Sequence, residues 1–291
     1  MRAIKFLGSN WSYVLWFVIY YTLAGFILGA ILDNLLTGFI IVSITYGASV
    51  TLALSPAGEA ILRATEGCRK PATGQEQNYL IPMFEEVYQN AKAISPKLND
   101  GIKLYIMDAM YVNAFAIGRK TVAVTKGAME TFTADELKGI LAHELGHMEY
   151  GHTKALLLAV IGNFFFSIIV WAFRTLLNII QFISDIVAQI NVLGAVFSFL
   201  TLIFRGYVNL VTFSFSNLSQ IILALNSRIN ELQADKFAHE IGYGRELISG
   251  MYLLQKISIN ADVSIVERWK ASHPHLADRI RSLEKLETEG A

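Results

Sequence analysis

The residues of this sequence with the clearest chemical potential are two histidines and a glutamate that stand close together. They lie in the stretch HELGH at residues 143–147, which has the pattern H-E-x-x-H. Residues four apart lie one turn above each other on an α-helix, so His143 and His147 can direct ring nitrogens at one metal ion. Glu144 then serves as a general base, accepting a proton from a metal-activated water and passing it to a leaving amine. The pattern therefore predicts a zinc hydrolase that cleaves amide bonds.

The flanking residues predict that this pattern lies on a helix. Thr131 or Thr133 is suited to the N-cap, and acids at residues 135 and 136 favour the first turn. Apolar residues then recur at helical spacing, at Leu137, Ile140, Leu141 and Leu145. The alternative is a surface helix with two solvated histidines, and the rest of the chain disfavours it.

A catalytic zinc ion takes three protein ligands, so the chain must supply one more. His152 is the nearest candidate, but on a continuous helix it points about 140° away from His147, and we interpret it as a helix-end residue. Two acids downstream, Glu231 and Asp235, are again four residues apart. On a facing helix Glu231 could bind the metal, while Asp235 accepts the outer N–H of a liganding histidine.

Four local segments give the chain a resemblance to a known family. They are HELGH, the segment NELQAD at 230–235, the segment NAFAIG at 113–118, and SHPH at 272–275 followed by Arg279. In order and spacing these segments resemble the HtpX-type membrane zinc endopeptidases, kin of the prenyl-protein processing proteases. The resemblance implies one zinc ion per chain, with His143, His147 and Glu231 as ligands and Glu144 as general base.

The same resemblance implies a place for the substrate. It suggests that a substrate lies along an edge strand formed by Asn113, Ala114, Phe115 and Ala116, although a plain strand with a tight turn is the alternative. A peptidase site also supplies a donor for the oxyanion of the transition state. His273 and Arg279 are the two candidates, but His273 could equally be a structural cap and Arg279 an anchor for the C-terminal helix.

The composition favours a membrane protein. Hydrophobic residues make up 54% of the 291 residues, mean hydropathy is +0.44 and 16% of residues are charged, against about 25% in soluble domains. Four apolar runs, at 11–32, 35–54, 155–173 and 191–213, approach the length needed to cross about 30 Å of hydrocarbon. The last run contains Arg205, which can reach an interface, face a polar cavity or indicate that this element enters the bilayer obliquely. Residues 175–190 are amphipathic enough for an interfacial helix.

Charge and periodicity predict the organisation of the chain. We divide it into a transmembrane hairpin (1–55), a catalytic segment with the HELGH helix (56–154), a second transmembrane hairpin (155–213) and a helical segment that completes the zinc site (214–291). Lys and Arg are frequent in the second and fourth parts and scarce in the hairpin turns. By the positive-inside rule both termini and the catalytic site face the cytoplasm, with the chain in the cell membrane.

The fold class predicted is α+β. Residues 102–106 alternate as a half-buried strand, and 112–117 with 121–125 predict a hairpin. We therefore expect a multi-pass α-helical membrane protein with about four transmembrane helices and a zincin-like, mainly helical catalytic domain carrying a small β-sheet.

Some partners and compartments are disfavoured by the sequence. Cys68 is the single cysteine, so no internal disulfide can form, which fits a reducing compartment. A net charge of zero and the lack of a basic cluster argue against nucleic acid. The expected partners are polypeptide substrates, above all membrane proteins, and the lipid bilayer, while the oligomeric state is left open.

The sequence predicts a membrane-embedded zinc endopeptidase acting on membrane or membrane-associated proteins, and the resemblance implies a role in protein quality control. One alternative is a processing peptidase with a dedicated substrate, lipid-modified substrates included. An alternative of another class is a non-catalytic membrane scaffold that keeps zinc for folding. Glu144 argues against the scaffold, because a structural site is closed by protein ligands and has no use for an unliganded base.

Overall fold

A computed structural model describes residues 10–162, 164–224, 227–260 and 276–289. The chain divides into two compact units. The first comprises Met1–Val14, Thr51–Ala159 and Asn226–Ala291, and the second comprises Leu15–Val50 and Val160–Leu225.

The second unit is built from apolar helices. They are α1 (Trp11–Ile31) and α2 (Leu35–Leu54), with α8 (Phe164–Ala188) and α9 (Val192–Ala224) later in the chain. Small residues allow α1 and α2 to approach, since a Cβ on Gly25 would collide with the ring of Phe39 and one on Gly38 would collide with the backbone of Gly29.

Four helices in the described part of the chain are long and apolar enough to span a membrane, which confirms the expected number. They are Trp11–Ile31, Leu35–Leu54, Val170–Ala188 and Val192–Leu210. The third differs from expectation, because the helix Phe164–Ala188 runs through both the end of the expected 155–173 span and most of the expected interfacial helix. No glycine or proline interrupts these residues, so nothing in the backbone ends the helix at the expected boundary.

The first unit begins with a small mixed sheet and the helices around it. The helices are α3 (Pro56–Thr65), a π-helical turn (Glu76–Leu80), α4 (Ile81–Ile94) and α5 (Lys126–Thr131). The strands are β1 (Cys68–Arg69), β2 (Lys103–Met107), β3 (Ala114–Ile117) and β4 (Thr121–Thr125). Their order is β1-β2-β4-β3, with β2 and β4 parallel and the other two pairs antiparallel. This arrangement leaves β3 at one edge of the sheet.

The turn between β3 and β4 is held by a buried carboxylate. Gly118 has a positive φ of 58°, which glycine adopts without strain. Glu59 accepts hydrogen bonds from the backbone N–H groups of Arg119 and Lys120 at 3.0 and 3.1 Å. These bonds fix the end of the hairpin, so the position of β3 does not depend on strand pairing alone.

Five helices complete the first unit. They are α6 (Ala134–Tyr150), α7 (His152–Gly162), α10 (Ser227–Glu240), α11 (Gly244–Asn260) and α12 (Leu276–Glu289). Helix α6 is central, packing against α4, α10, α11 and the strands β3 and β4. Its residues Leu137, Ile140, Leu141 and Leu145 are all buried in the main core. Burial of each such side chain contributes about 1.5–3 kcal/mol, so the apolar stripe predicted from the sequence holds α6 in place.

Candidate metal site

Helix α6 begins and ends at residues that fix its limits. Thr133, one of the two predicted N-cap residues, is the N-cap and forms a capping box with Glu136. The helix ends at Gly151, whose φ of 78° lies in the left-handed region. The HELGH segment therefore lies in the last two turns. His143 and Glu144 are 1% and 2% exposed and His147 is 8% exposed, so the alternative of a surface helix with solvated histidines is wrong.

A glycine within HELGH sets the distance to the facing helix. A Cβ on Gly146 would lie 2.8 Å from both the Cα and the carbonyl oxygen of Ala234, so only glycine lets α6 approach α10 this closely. Glu231 and Asp235 stand one turn apart on the buried face of α10. The close approach therefore brings both carboxylates against the histidines.

Three side chains from these helices point potential ligand atoms at one another. The Nε2 atoms of His143 and His147 are 3.1 Å apart. The carboxylate of Glu231 reaches them with Oε2 3.5 Å from His143 Nε2 and Oε1 3.3 Å from His147 Nε2. All three residues are buried, and their ligand atoms lie within 4.8 Å of one another, so they could hold a single metal ion.

Two further residues hold these side chains in position. Asp235 Oδ1 lies 2.8 Å from His143 Nδ1, which can donate to it and so leave Nε2 as the lone-pair nitrogen. Arg279, on α12 and 0% exposed, donates to Asp235 from Nε at 2.8 Å and from one terminal nitrogen at 2.7 Å. Its other terminal nitrogen lies 2.7 Å from Glu231 Oε2. The guanidinium therefore anchors α12 to both acids, as the anchoring alternative for Arg279 expects, and its role as an oxyanion donor stays a prediction. His273 lies outside the described residues.

His152 contacts the site, which the sequence reasoning missed. The expectation that it points away assumed a continuous helix, but the chain changes direction at Gly151 and His152 begins α7. Its Nδ1 lies 2.9 Å from His147 Nδ1, and its Nε2 lies 3.1 Å from Gln233 Oε1. If His152 Nε2–H donates to Gln233, its Nδ1 accepts the proton of His147 Nδ1, which leaves His147 Nε2 as the lone-pair nitrogen. The glycine after the last periodic residue was the signal that could have shown the helix end.

The protonation of the three histidines follows from burial and neighbouring charge. Burial and, to a smaller extent, the neighbouring His147 lower the pKa of His152 to about 3, so its ring is neutral and can accept a hydrogen bond. Burial also lowers the pKa of His147. For His143, burial and Arg279 lower the pKa, but the hydrogen bonds to Asp235 and Glu231 outweigh both and raise it above its ordinary value.

The formal charges and the donor types of the cluster fit a divalent cation. Glu144, Glu231 and Asp235 are buried acids, and Arg279 is the buried cation beside them. When ionised, the three acids exceed the arginine by two negative charges, and buried charge is stable only when it is paired or binds a metal. Two imidazole nitrogens and one carboxylate form a donor set that suits a catalytic transition metal and leaves room for a further ligand.

The predicted substrate strand lies beside α6 at the edge of the sheet. Strand β3 packs against α6, and Ala114 and Ala116 are buried while Phe115 is half-buried. Asn113 precedes the strand, and its backbone N–H donates to Thr125 Oγ1 at 3.0 Å. Among the described residues, the buried side-chain oxygen of Asn113 has no hydrogen-bond partner.

The chain matches a protein family, curated relatives and a solved structure. Residues 74–287 match Peptidase family M48. The chain is 28% identical over 259 residues to Protease HtpX of Shewanella baltica, covering 81% of this chain and 83% of that protein. It is 27% identical over 260 residues to Protease HtpX of Shewanella oneidensis, with 82% and 84% covered. Among solved structures, the crystal structure of S. mikatae Ste24p matches with a TM-score of 0.48 and 19% identity, covering 97% of this chain and 64% of that one.

Proposed function

The chain belongs to Peptidase family M48 and is an HtpX-type membrane metalloprotease, and from this premise we propose that it is a zinc-dependent endopeptidase. The observation that carries the proposal is the buried group of His143, His147 and Glu231, with Glu144 on the same helix. When bound, zinc would supply a Lewis acid that polarises the scissile carbonyl and lowers the pKa of a water molecule.

The remaining chemistry belongs to residues of this chain. Glu144 accepts the proton of the attacking water and delivers it to the leaving amine, because it follows His143 in the chain and interacts electrostatically with His147 without being part of the ligand group. Asp235 and His152 hold the two imidazoles with Nε2 as the lone-pair nitrogen, and Arg279 holds Glu231 and Asp235. Burial of these groups excludes water from the hydrogen bonds that position them.

An extended substrate would pair with the free edge of β3. The strand is terminal in the sheet and packs against α6, so a backbone bound along it would run past the helix that carries Glu144. The side-chain oxygen of Asn113 has no protein partner among the described residues and is suited to accept a substrate N–H. In this proposal the substrate-binding residues are Asn113, Ala114, Phe115 and Ala116.

The proposed substrates are membrane or membrane-associated polypeptides, and the proposed role is protein quality control. The catalytic site and both termini would face the cytoplasm from the cell membrane, because positive charge is concentrated in the segments that flank the apolar hairpins. In this arrangement residues 1–55 and 155–213 are the membrane hairpins, and 56–154 with 214–291 form the catalytic part. Both metal-site segments then lie on one side, since two crossings separate them.

The proposal is tested by cleavage of casein and of a detergent-solubilised, unfolded membrane protein, with bound zinc quantified in every sample. The variant is Glu144→Gln, and the matched control is Glu149→Gln, the same change on the same helix outside the ligand group. We expect Glu144→Gln to retain about one zinc per chain and to lose at least about 10²-fold in rate. The control should behave like the wild type.

Other outcomes of this experiment separate the alternatives. If wild type and variant bind zinc and neither cuts any substrate, the non-catalytic scaffold replaces the peptidase. If only one membrane-derived or lipid-modified peptide is cut, the chain is a dedicated processing peptidase. A purified wild type that binds no metal would refute the proposal altogether.

A further inference from the structure

The hairpin formed by α8 and α9 carries a polar seam along the line where its two helices face each other. Gln181 Nε2 donates to Asp185 Oδ1 at 2.8 Å and to Ser198 Oγ at 3.2 Å across the hairpin. Thr201 Oγ1 donates to Gln181 Oε1 at 2.9 Å. These side chains recur at helical spacing on each helix, so the seam is a built feature of two otherwise apolar spans.

The end of the seam away from the hairpin turn opens into a polar cavity of about 370 Å³. The cavity is lined by Arg174, Leu177 and Asn178 of α8 and by Arg205 and Asn209 of α9. Asn209 Oδ1 accepts from Arg174 Nε at 3.1 Å and from a terminal nitrogen at 2.6 Å, so one guanidinium is held in a fixed orientation. Four of the five lining residues carry hydrogen-bond donors.

The charge of this cavity is unbalanced. Within the residues that the structure describes, neither Arg174 nor Arg205 forms an ion pair. Asp185, the acid of the seam, is hydrogen-bonded to Gln181 and Ser198 and interacts electrostatically with Arg205, so it offsets at most one of the two positive charges. Two guanidinium groups around one cavity repel each other and are costly in a membrane unless an anion lies between them. The cavity therefore has the charge and the donors for an anion.

The depth of the cavity indicates where such an anion comes from. From Arg174 to the end of α8 the helix rises by about 21 Å, which puts the cavity in the half of a 30 Å hydrocarbon layer remote from the turn. Trp171 and Tyr207 lie close to the arginines in sequence and are exposed, as amphipathic aromatic residues are at a membrane interface. Apolar side chains around them, Leu176, Phe204 and Leu210, are also exposed and would meet acyl chains.

We propose that the cavity between Arg174 and Arg205 binds a phosphate group, and that the source of this phosphate is the headgroup of an anionic phospholipid. Guanidinium groups bind phosphate oxygens through paired, charge-assisted hydrogen bonds, and Asn209 already holds the Arg174 guanidinium in a fixed orientation. The acyl chains would lie against the apolar surface of α8 and α9. This site is independent of the peptidase proposal, because none of its residues belongs to the metal site.

The test measures lipid retained by the full chain. Wild type is reconstituted into vesicles of phosphatidylcholine with about one fifth phosphatidylglycerol, extracted in mild detergent, and analysed for bound lipid by native mass spectrometry. The variant is Arg174→Gln/Arg205→Gln. The control is Arg228→Gln/Arg245→Gln, which removes the same charge from two exposed residues of the first unit.

We expect the wild type and the control to retain phosphatidylglycerol in preference to phosphatidylcholine, and the variant to lose this preference by about tenfold or more. Arg205→Lys keeps the positive charge but removes the paired donors of the guanidinium, so it should lose part of the preference for phosphatidylglycerol. Asn209→Ala leaves both charges and removes the orienting acceptor. If the double variant does not fold, the same comparison is made with these two single variants.

A second arm distinguishes the lipid from free phosphate. Inorganic phosphate is titrated into delipidated wild type and variant, and the melting temperature is followed. If phosphate stabilises only the wild type while lipid retention is independent of the arginines, the lipid source is wrong. If neither lipid retention nor phosphate stabilisation depends on Arg174 and Arg205, the proposal is overturned and the arginines only reach toward the interface.

Discussion

Two regions of this chain keep polar side chains away from water, and they do so in different ways. In the candidate metal site, the buried cation Arg279 pairs with two buried acids, Asp235 and Glu231, and these residues come from α10 and α12. In the membrane hairpin, the contact between Gln181 and Thr201 pairs a side-chain amide with a hydroxyl from two helices joined by a short turn. The first arrangement needs distant segments of the chain, whereas the second needs only neighbours.

This difference has an energetic consequence. Removing one member of a buried ion pair leaves an uncompensated charge in a medium of low polarity, which is strongly unfavourable. Removing one neutral hydrogen bond between membrane helices costs little, because the groups find other partners. Substitutions in the two regions should therefore differ in effect by several-fold.

The largest effect is expected at Arg279. Arg279→Met leaves Glu231 and Asp235 without their cation, and we expect it to destabilise the metal-stripped protein by about 3–5 kcal/mol. Arg228→Met is the matched control, because Arg228 pairs with Asp278 between the same two helices but is 59% exposed, and its loss should cost less than about 1 kcal/mol. Denaturant unfolding in detergent measures both. If both variants lower the free energy of unfolding equally, burial of Arg279 does not determine how much this residue stabilises the protein.

The next effect concerns the orientation of a ligand. His152→Asn removes the ring that faces His147 Nδ1 at 2.9 Å, and we expect metal affinity to fall by about 10–100-fold. His239→Asn is the control, since His239 pairs with Glu287 away from the ligand group. Competition with a chromophoric chelator gives the affinity without any activity assay. If the metal affinity of His152→Asn is unchanged, His152 does not orient His147 and contributes only to packing.

Arg69 and Glu76 form a further ion pair outside the candidate metal site. Arg69 lowers the pKa of Glu76 below its ordinary value, helped by the N–H groups of Thr73 and Ala72. A depressed carboxyl pKa stabilises the fold above about pH 4.5, and this stability is lost as pH falls through the folded-state value. Glu76→Gln should therefore lower stability by about 1–3 kcal/mol at pH 7, and the difference from wild type should shrink toward pH 3.

Thermal unfolding at pH 7, 5 and 3 measures this difference. Glu66→Gln, a change at an exposed residue of the same segment, is the control and should lower the melting temperature less at pH 7. A Glu76→Gln deficit that stays constant across the three pH values would show that the carboxylate charge is not what stabilises the cluster.

The smallest effect is expected in the membrane seam. Thr201→Val keeps the shape and removes the hydroxyl, which shares its proton between Gln181 Oε1 across the hairpin at 2.9 Å and Ser198 O of its own helix at 2.8 Å, and it should cost about 0.6 kcal/mol. Thr212→Val is the control, because the Thr212 hydroxyl donates to Val208 O of its own helix. Unfolding in detergent compares the two. A loss at Thr201 as large as that at Arg279 would remove the distinction between the two regions.

Much of the fold could be predicted because its signals are local. The apolar stripe of α6, its cap at Thr133 and the apolar runs all depend on residues within a few turns of one another. Where the third span enters and leaves the membrane stays a prediction, since hydropathy does not show where an uninterrupted helix such as Phe164–Ala188 leaves the membrane.

The sequence by itself determined which side chains could share one metal ion, because the spacing of His143 and His147 places both rings on one face of any helix that contains them. Only the tertiary structure decided what surrounds them. The approach of α10 at Gly146, the partners of Arg279 and the contact of His152 with His147 depend on where the chain turns and which distant helices pack together. Those contacts follow from the burial of the shared core, to which many residues far apart in the sequence contribute, so no single short motif determines it.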